Sequence, residues 1–325
     1  MYQPRHLRAL RRIGLLAAML AASAALSAAL SAAEPPTPPT RADAERAIAA
    51  AADARPPEGT PLRPLTIVLL AGPKDHGENE HDYPRWQARW ALLLGGKAAS
   101  DERAANLFGP DRPHPAVGAG APGVRVIRAN PWPSAEEWEA ADLVVAFCYL
   151  PWNPSRLEEV GRFLARGGGL VLIHSATWTR PRASPEVAEI VGVGGFQFYR
   201  HGSLLLEIAM PEHPVCRGLP AQIRWLDEPY WPPTPPGPAE RIEVLAASRE
   251  ALEPGRNRNV APQPQFWSCP HGKGRVFGCV PGHYTWTFDD PFFRLLLLRG
   301  MAWAAGENPY RFDPLALRCA AIAEE

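Results

Sequence analysis

The 325-residue chain is predicted to be an α/β protein built on a mostly parallel sheet. Three observations predict this. Its strand-like segments are continuous apolar, β-branched runs rather than alternating ones, as strands buried on both faces require. Capped helical patterns separate those runs, and such alternation indicates parallel βαβ units. Three of the runs end in polar clusters built around histidine, and in an open α/β sheet ligands bind outside the carboxyl ends of the strands.

The elements follow in order. Arg5, Arg8, Arg11 and Arg12 precede an Ala-rich apolar stretch from Ile13 to Leu30, followed by Ser31, Ala32 and Ala33. This is the layout of a cleaved export signal with a small-residue processing site, and Arg11-Arg12 adds a twin-arginine feature. Residues 1–33 are therefore expected to leave a periplasmic or extracellular protein with no membrane span. Residues 34–63 are rich in Pro and Ala and read as a linker with a short helix in its middle. TIVLL (66–70) is the first strand, and Trp86, Trp90 and Leu93 are spaced as one face of a helix over 84–94. Residues 98–123 read as an irregular insertion, and VRVIRA (124–129) as the second strand. Ser134 caps a short helix, and DLVVAFCY (142–149) is the third strand. Ser155 is expected to cap the next helix, with Gly167 as its stop, before LVLI (170–173). In the carboxyl half, SLLLEIAM (203–210), IEVLAAS (242–248) and PQFWSC (264–269) read as short strands, and the Pro-rich stretch 232–238 cannot extend a central one. RVFGCV (275–280) is a buried strand, and residues 291–306 form a closing helix with Pro at its start and Gly at its end.

Composition narrows the partners. Lys plus Arg equals Asp plus Glu at 34 each, so no global field attracts nucleic acid or anionic lipid. The 11 Trp residues include several near the polar clusters, where aromatic faces beside hydrogen-bonding groups suit a small-molecule sugar. Five cysteines at irregular spacing are not a disulfide framework, and Cys279 reads as a small buried hydrophobe.

The chemistry-bearing residues sit at strand ends. After the first strand come Lys74, His76, Glu78, His81 and Asp82; after the fourth, His174 and Ser175; after the last, His283 with Tyr284 and Trp286. An acidic pair, Asp227 and Glu228, lies in LDEPYW, and His201 begins a strand. Imidazoles transfer protons near neutral pH and also ligate metals. There is no H-E-x-x-H and no C-x-x-C, so a divalent metal such as zinc would need ligands from separate segments, with His81, His174 and His283 as candidates. Ser175 lacks the G-x-S-x-G elbow of a hydrolase nucleophile.

The order GPKDHG and EHDYPRWQ, then LARGGGLVLIHSAT, then HPV and GLP with DEPYW, then PQFW, HGKGRVF and PGHYTWTFDDP resembles the trehalose-utilisation (ThuA-like) family, from about Leu65 to Gly306. The block His271 to Ala305 is its most specific part. The resemblance implies a flavodoxin-like fold related to class I glutamine amidotransferases, with helices on both faces of the sheet. It divides the chain into signal (1–33), linker (34–63), ThuA-like domain (64–310) and tail (311–325). The turn that carries the amidotransferase nucleophile reads LIHSAT here, without Cys, and Cys148 only ends the neighbouring strand, so a glutamine amidotransferase is not expected. The third strand runs into AFCYLPW, without the histidines some family members carry there. The resemblance implies an exported carbohydrate-active enzyme acting on a disaccharide or keto-sugar. His81, His174 and His283 would be its acid–base residues, metal-assisted if an ion is bound. Lys74, His76, Asp82, Ser175, Glu228, Tyr284 and Trp286 would contact the sugar. The alternative is a non-catalytic sugar-binding protein on the same fold; oligomeric state stays open.

Overall fold

A computed structural model describes residues 34–57, 59–96, 120–234, 242–252 and 260–323. The expected export signal and most of the irregular insertion lie outside the described residues.

Nine strands form one sheet. They are β1 (Leu65–Ala71), β2 (Val124–Ala129), β3 (Leu143–Phe147), β4 (Gly169–Ile173), β6 (Gly202–Ile208), β7 (Gln222–Asp227), β9 (Glu243–Ala251), β10 (Val260–His271) and β11 (Gly274–Cys279). Their order is β2-β1-β3-β4-β11-β10-β9-β6-β7. The first five in that order run parallel and are the five strands read from apolar runs. The remaining four add antiparallel pairs to the edge at β11. The order reverses between β1 and β3, and the carboxyl ends of the parallel strands open on one side there. β5 (Phe196–Tyr199) and β8 (Tyr230–Pro233) form a separate two-stranded antiparallel sheet.

Helices cover both faces of the parallel half. The helices are α1 (Arg41–Ala49), α2 (Tyr83–Gly95), α3 (Ala135–Ala140), α4 (Pro154–Ala165), α5 (Pro185–Val191) and α6 (Pro291–Ala304), of which α2, α4 and α6 pack on the parallel strands. Gly274 and Phe277 lie three apart on β11 and so point to opposite faces. A Cβ on Gly274 would meet Leu164 of α4, whereas Phe277 closes on Gly300 of α6. This two-sided cover explains why β3 and β4 are buried at every residue. The α4 cap differs from the expectation. Asn153, not Ser155, accepts from Arg156 N at 3.0 Å, because Pro154 already occupies the first turn. β9 and β10 also run longer than their apolar stretches, since pairing with each other carries them past those stretches.

The segment read as a linker packs against the domain. α1 buries Ala44 and Ala47, and the Ala47 carbonyl accepts from the buried guanidinium of Arg299 at 3.4 Å. The tail returns to the same place: Ala323 N donates to Pro39 O at 3.1 Å. Thr37–Glu325 accordingly forms one compact unit. Arg299 makes two bonds to Asp313, at 2.9 and 3.0 Å, so a buried charge on α6 is paired. Removing one partner of such a pair costs about 3–5 kcal/mol. Cys148, Cys216 and Cys279 are buried free thiols, with Cys279 fully buried in β11. Among the described residues, no helix is long and apolar enough to cross a membrane.

Candidate functional site

Three loops deliver one imidazole each to the carboxyl ends of β1, β4 and β11. His174 follows β4 directly. Its backbone sits at φ 50°, and that of His81 at φ 41°, a left-handed region that L-residues seldom occupy. Such conformations persist where surrounding structure over-determines them, and they cluster at functional sites. The loop carrying His81 is tied to the loop carrying His283 as if in a sheet. His81 N donates to His283 O at 3.0 Å, Thr285 N donates to Asn79 O at 2.8 Å, and Glu80 bridges Tyr284. Gly282 supplies the turn before His283 at φ +136°, where a Cβ would press on Ile173 and Phe288 at 3.2 Å.

Asp227 joins a fourth element to this arrangement. Its Oδ1 accepts from the backbone N–H groups of Glu228 (2.7 Å), Gly282 (3.0 Å) and His283 (3.1 Å). Its Oδ2 accepts from the Thr287 hydroxyl. A single carboxylate at the end of β7 therefore sets both Glu228 and His283.

The result is a buried quartet of His81, His174, Glu228 and His283, with one ligand-type atom of each within 4.8 Å of the others. His174 Nε2 lies 2.8 Å from His81 Nε2, and His283 Nδ1 lies 3.1 Å from it. Glu228 Oε2 is 3.1 Å from His174 Nε2 and 3.0 Å from His283 Nδ1. The outer hydrogen bonds assign the ring protons. His174 Nδ1 faces the Val280 carbonyl at 2.7 Å, so it donates, leaving Nε2 with a lone pair. His81 Nδ1 faces Asp75 Oδ1 at 3.1 Å and therefore also donates, leaving its own Nε2 lone pair in the quartet. Two nitrogen lone pairs 2.8 Å apart repel unless a proton or a cation lies between them. Tyr230 closes the group, its hydroxyl 2.8 Å from His174 Nε2 and 3.1 Å from Glu228 Oε2.

Electrostatics match this geometry. Burial pushes the His81 imidazole well below its ordinary range, and the neighbouring His174, His283 and His76 push it further. Burial alone would raise the Glu228 carboxyl, but the His174 and His283 rings beside it outweigh that and hold the group low. His283 is the reverse case: burial lowers it, and Glu228 more than compensates, so it lies above the usual histidine range. The site thus keeps an anionic oxygen beside a neutral imidazole. Three imidazole nitrogens and a carboxylate suit a first-row divalent ion. A tetrahedral ion with bonds of ~2.0–2.1 Å needs donor atoms ~3.3 Å apart. Four of the six donor separations, at 2.8–3.1 Å, would have to open by only a few tenths of an ångström, and all six lie within 4.8 Å.

Above the quartet lies a cavity of about 230 Å³, whose wall includes His76, Tyr149, Trp178, Tyr199, His201 and Tyr230. Glu228 also lines it and so connects the cavity to the buried quartet. His201 Nε2 is 3.5 Å from Glu228 Oε1, and burial lowers its pKa.

The other sequence candidates lie around this centre. His76 lies tilted against His81 at 3.7 Å between ring centroids and pairs with Asp75 at 2.7 Å. Ser175 is buried beside the Tyr83 hydroxyl. Asp82 is the amino cap of α2, accepting from Arg85 N at 3.2 Å, and Lys74 donates to the Glu80 carbonyl. Tyr284 stacks on Trp286 at 4.3 Å and touches the His283 ring edge-on at 4.6 Å. Asp290 caps α6 through Phe292 N and Phe293 N, and Asp289 pairs with Arg294 at 3.0 Å. Sequence reasoning missed Asp75, Tyr83 and Tyr230. Asp75 stood one place before a histidine in a polar loop, which was the available signal.

The ThuA family profile, described as trehalose utilisation, matches residues 129–304. Among solved structures the chain is similar to a ThuA-like protein from Bacteroides uniformis, at 19% identity and a TM-score of 0.54, covering 79% of this chain and 99% of that one. A ThuA-like protein from Parabacteroides merdae shares 20% identity at a TM-score of 0.48, with coverage of 75% and 91%. No curated protein matches the chain. The profile spans more than half of the sequence and takes in β3, β4, β11 and the loops bearing His174, Glu228 and His283, so the chain belongs to the ThuA (trehalose utilisation) family.

Proposed function

We propose that this chain is an exported, metal-dependent carbohydrate-active enzyme that handles a disaccharide or keto-sugar by histidine acid–base chemistry. The observation that carries the reading is the quartet, in which two imidazole lone pairs and a carboxylate oxygen converge at 2.8–3.1 Å in a buried site. The family supplies the carbohydrate connection. The cationic, Ala-rich start of the sequence supports export.

His81, His174, His283 and Glu228 would hold the ion. A bound divalent ion supplies Lewis acidity toward a carbonyl or hydroxyl oxygen and lowers the pKa of bound water. Asp75 and the Val280 carbonyl hold ring protons on His81 and His174 outward, which fixes the tautomers. The Tyr230 hydroxyl has one proton to give, to Glu228 Oε2 or to the His174 Nε2 lone pair. His201 and His76, on the cavity wall, can exchange protons with a bound substrate. Trp178 and Tyr199 offer ring faces to a sugar's C–H surface, and Tyr199 is 57% exposed at the rim.

The test joins elemental analysis to an activity screen. The purified chain is expected to carry close to one equivalent of divalent metal and to turn over at least one of trehalose, other disaccharides or their keto derivatives. His174→Ala and His283→Ala should each lose the metal and the turnover. Tight sugar binding without turnover, unchanged in both variants, would instead make the protein a binding module. Absence of both metal and sugar binding would remove the proposal.

A further inference from the structure

Arg180 is an exposed cation with no ion pair to a carboxylate among the described residues. Its position is nevertheless defined. The guanidinium lies over the Tyr149 ring with Cζ 3.3 Å from the centroid, and Tyr149 is itself part of the cavity wall above the quartet. The preceding residue, Thr179, is buried and its hydroxyl donates to the Gly194 carbonyl, so the chain carrying Arg180 is anchored. Arg180 lines two cavities at once. One is the 230 Å³ space above Glu228. The other, of about 690 Å³, is lined by Trp152, Asn153, Leu157 and residues 179–187. The first is below the ~300–1,000 Å³ of pockets for drug-sized ligands and suits a single sugar ring, while the second has room for a further group.

The neighbouring charges sharpen this. Glu228 faces the smaller cavity from the quartet, and His76 and His201 face it from the rim. Asp75 lies behind His76 and His81 and is committed to both. Arg182 and Glu186 line only the larger cavity, so among the described residues Arg180 is the one arginine or lysine that lines both spaces. A guanidinium set over an aromatic ring carries five N–H donors and can still turn an edge outward for two parallel bonds to an oxyanion.

Resting on the reading of this cavity as a sugar site, we infer that Arg180 is a specificity-determining residue that selects an anionic sugar, one bearing a carboxylate or a phosphate group. The sugar ring would sit above Glu228 in the smaller cavity, with the oxyanion against the Arg180 edge where the two cavities meet.

Calorimetric titration of the full chain, loaded with zinc, tests this with four probes: D-glucose, D-gluconate, D-glucuronate and D-glucose 6-phosphate. The wild-type protein should bind at least one acidic probe about tenfold or more tightly than glucose. Arg180→Gln should remove that preference while glucose binding and zinc content stay within twofold, and Arg180→Lys should restore part of it. Preference for gluconate and glucuronate over the phosphate identifies the carboxylate source, and the reverse order identifies the phosphate. Equal binding of glucose and the acids, or an equal loss for all probes in Arg180→Gln, overturns the inference and leaves the sugar site standing. Failure of all four probes to bind a zinc-loaded protein overturns the sugar reading itself, and this inference with it.

Discussion

A carboxylate 3.1 Å from His81 Nδ1 decides which nitrogen of that ring is free to meet its neighbours. Asp75 contacts no other member of the quartet, so its effect passes through His81. Outer partners of this kind tune ligand orientation and basicity, and losing one costs ~10–100-fold in metal affinity. Asp75→Asn is therefore expected to weaken zinc binding by that factor in competition with a chromophoric chelator, while the thermal midpoint of the metal-free protein changes little. An unchanged zinc affinity would mean that His81 is oriented by Tyr83, whose hydroxyl is 2.9 Å from the same nitrogen. The sequence made the three histidines legible because each lies in a polar cluster that follows an apolar run. It did not make Asp75 or Asp227 legible as organisers, since their partners come from loops far away in the chain, and Glu228 was readable only as half of an acidic pair.

At the scale of single elements, α6 carries a pH-sensitive anchor. Burial pushes the Asp289 carboxyl up to about 7, against the opposing charge of Arg294, 3.0 Å away. The folded chain thus holds a proton that the unfolded chain, titrating near 3.8, releases. A raised pKa in the folded state contributes stability that is complete below about pH 4 and lost as pH rises through about 7. The stability of the wild type relative to Asp289→Asn should therefore decline from pH 4 to pH 7 and level off above it, as read from urea midpoints. A difference independent of pH would show that Arg294 keeps Asp289 ionised throughout. The same scale separates what the sequence disclosed from what it hid. β1, β3 and β4 were plain because strands covered on both faces are apolar throughout. β7 was hidden because its burial alternates between neighbouring residues and its last residue belongs to the acidic pair. The α4 cap was misread because Asn153, Pro154 and Ser155 all carry start signals, and only the backbone decides among them.

Across the whole molecule, the quartet draws on β1, β4, β11 and the β7–β8 turn, segments separated by up to 202 positions along the chain. No such cluster exists in an unfolded chain, so an ion that binds it stabilises the folded state alone. Zinc at about 100 times its dissociation constant would add about 2.7 kcal/mol, which for a domain of this size raises the melting temperature by roughly 4–5 °C. The shift should reverse with a chelator and be absent from His174→Ala. Equal shifts in both proteins would assign the effect to a different site. The parallel half of the sheet was predicted as a unit because local patterns specify it. The antiparallel half, the docking of α1 and the return of the tail depend on long-range pairing, which leaves little trace in local periodicity.

His174 holds a left-handed backbone that glycine would adopt without strain, at a cost to any L-residue of roughly 1–2 kcal/mol. Metal-free His174→Gly should accordingly be more stable than metal-free His174→Ala by about 1 kcal/mol in chemical denaturation, the opposite of the usual order for these two residues in regular structure. A histidine kept at such a place is a compromise between endurance and chemistry: the fold accepts a weaker backbone at the foot of β4 in exchange for a nitrogen aimed at its neighbours. Variants selected only for heat resistance would be expected to drift away from histidine at this position, and a loss of zinc binding in them would mark what that imidazole is for.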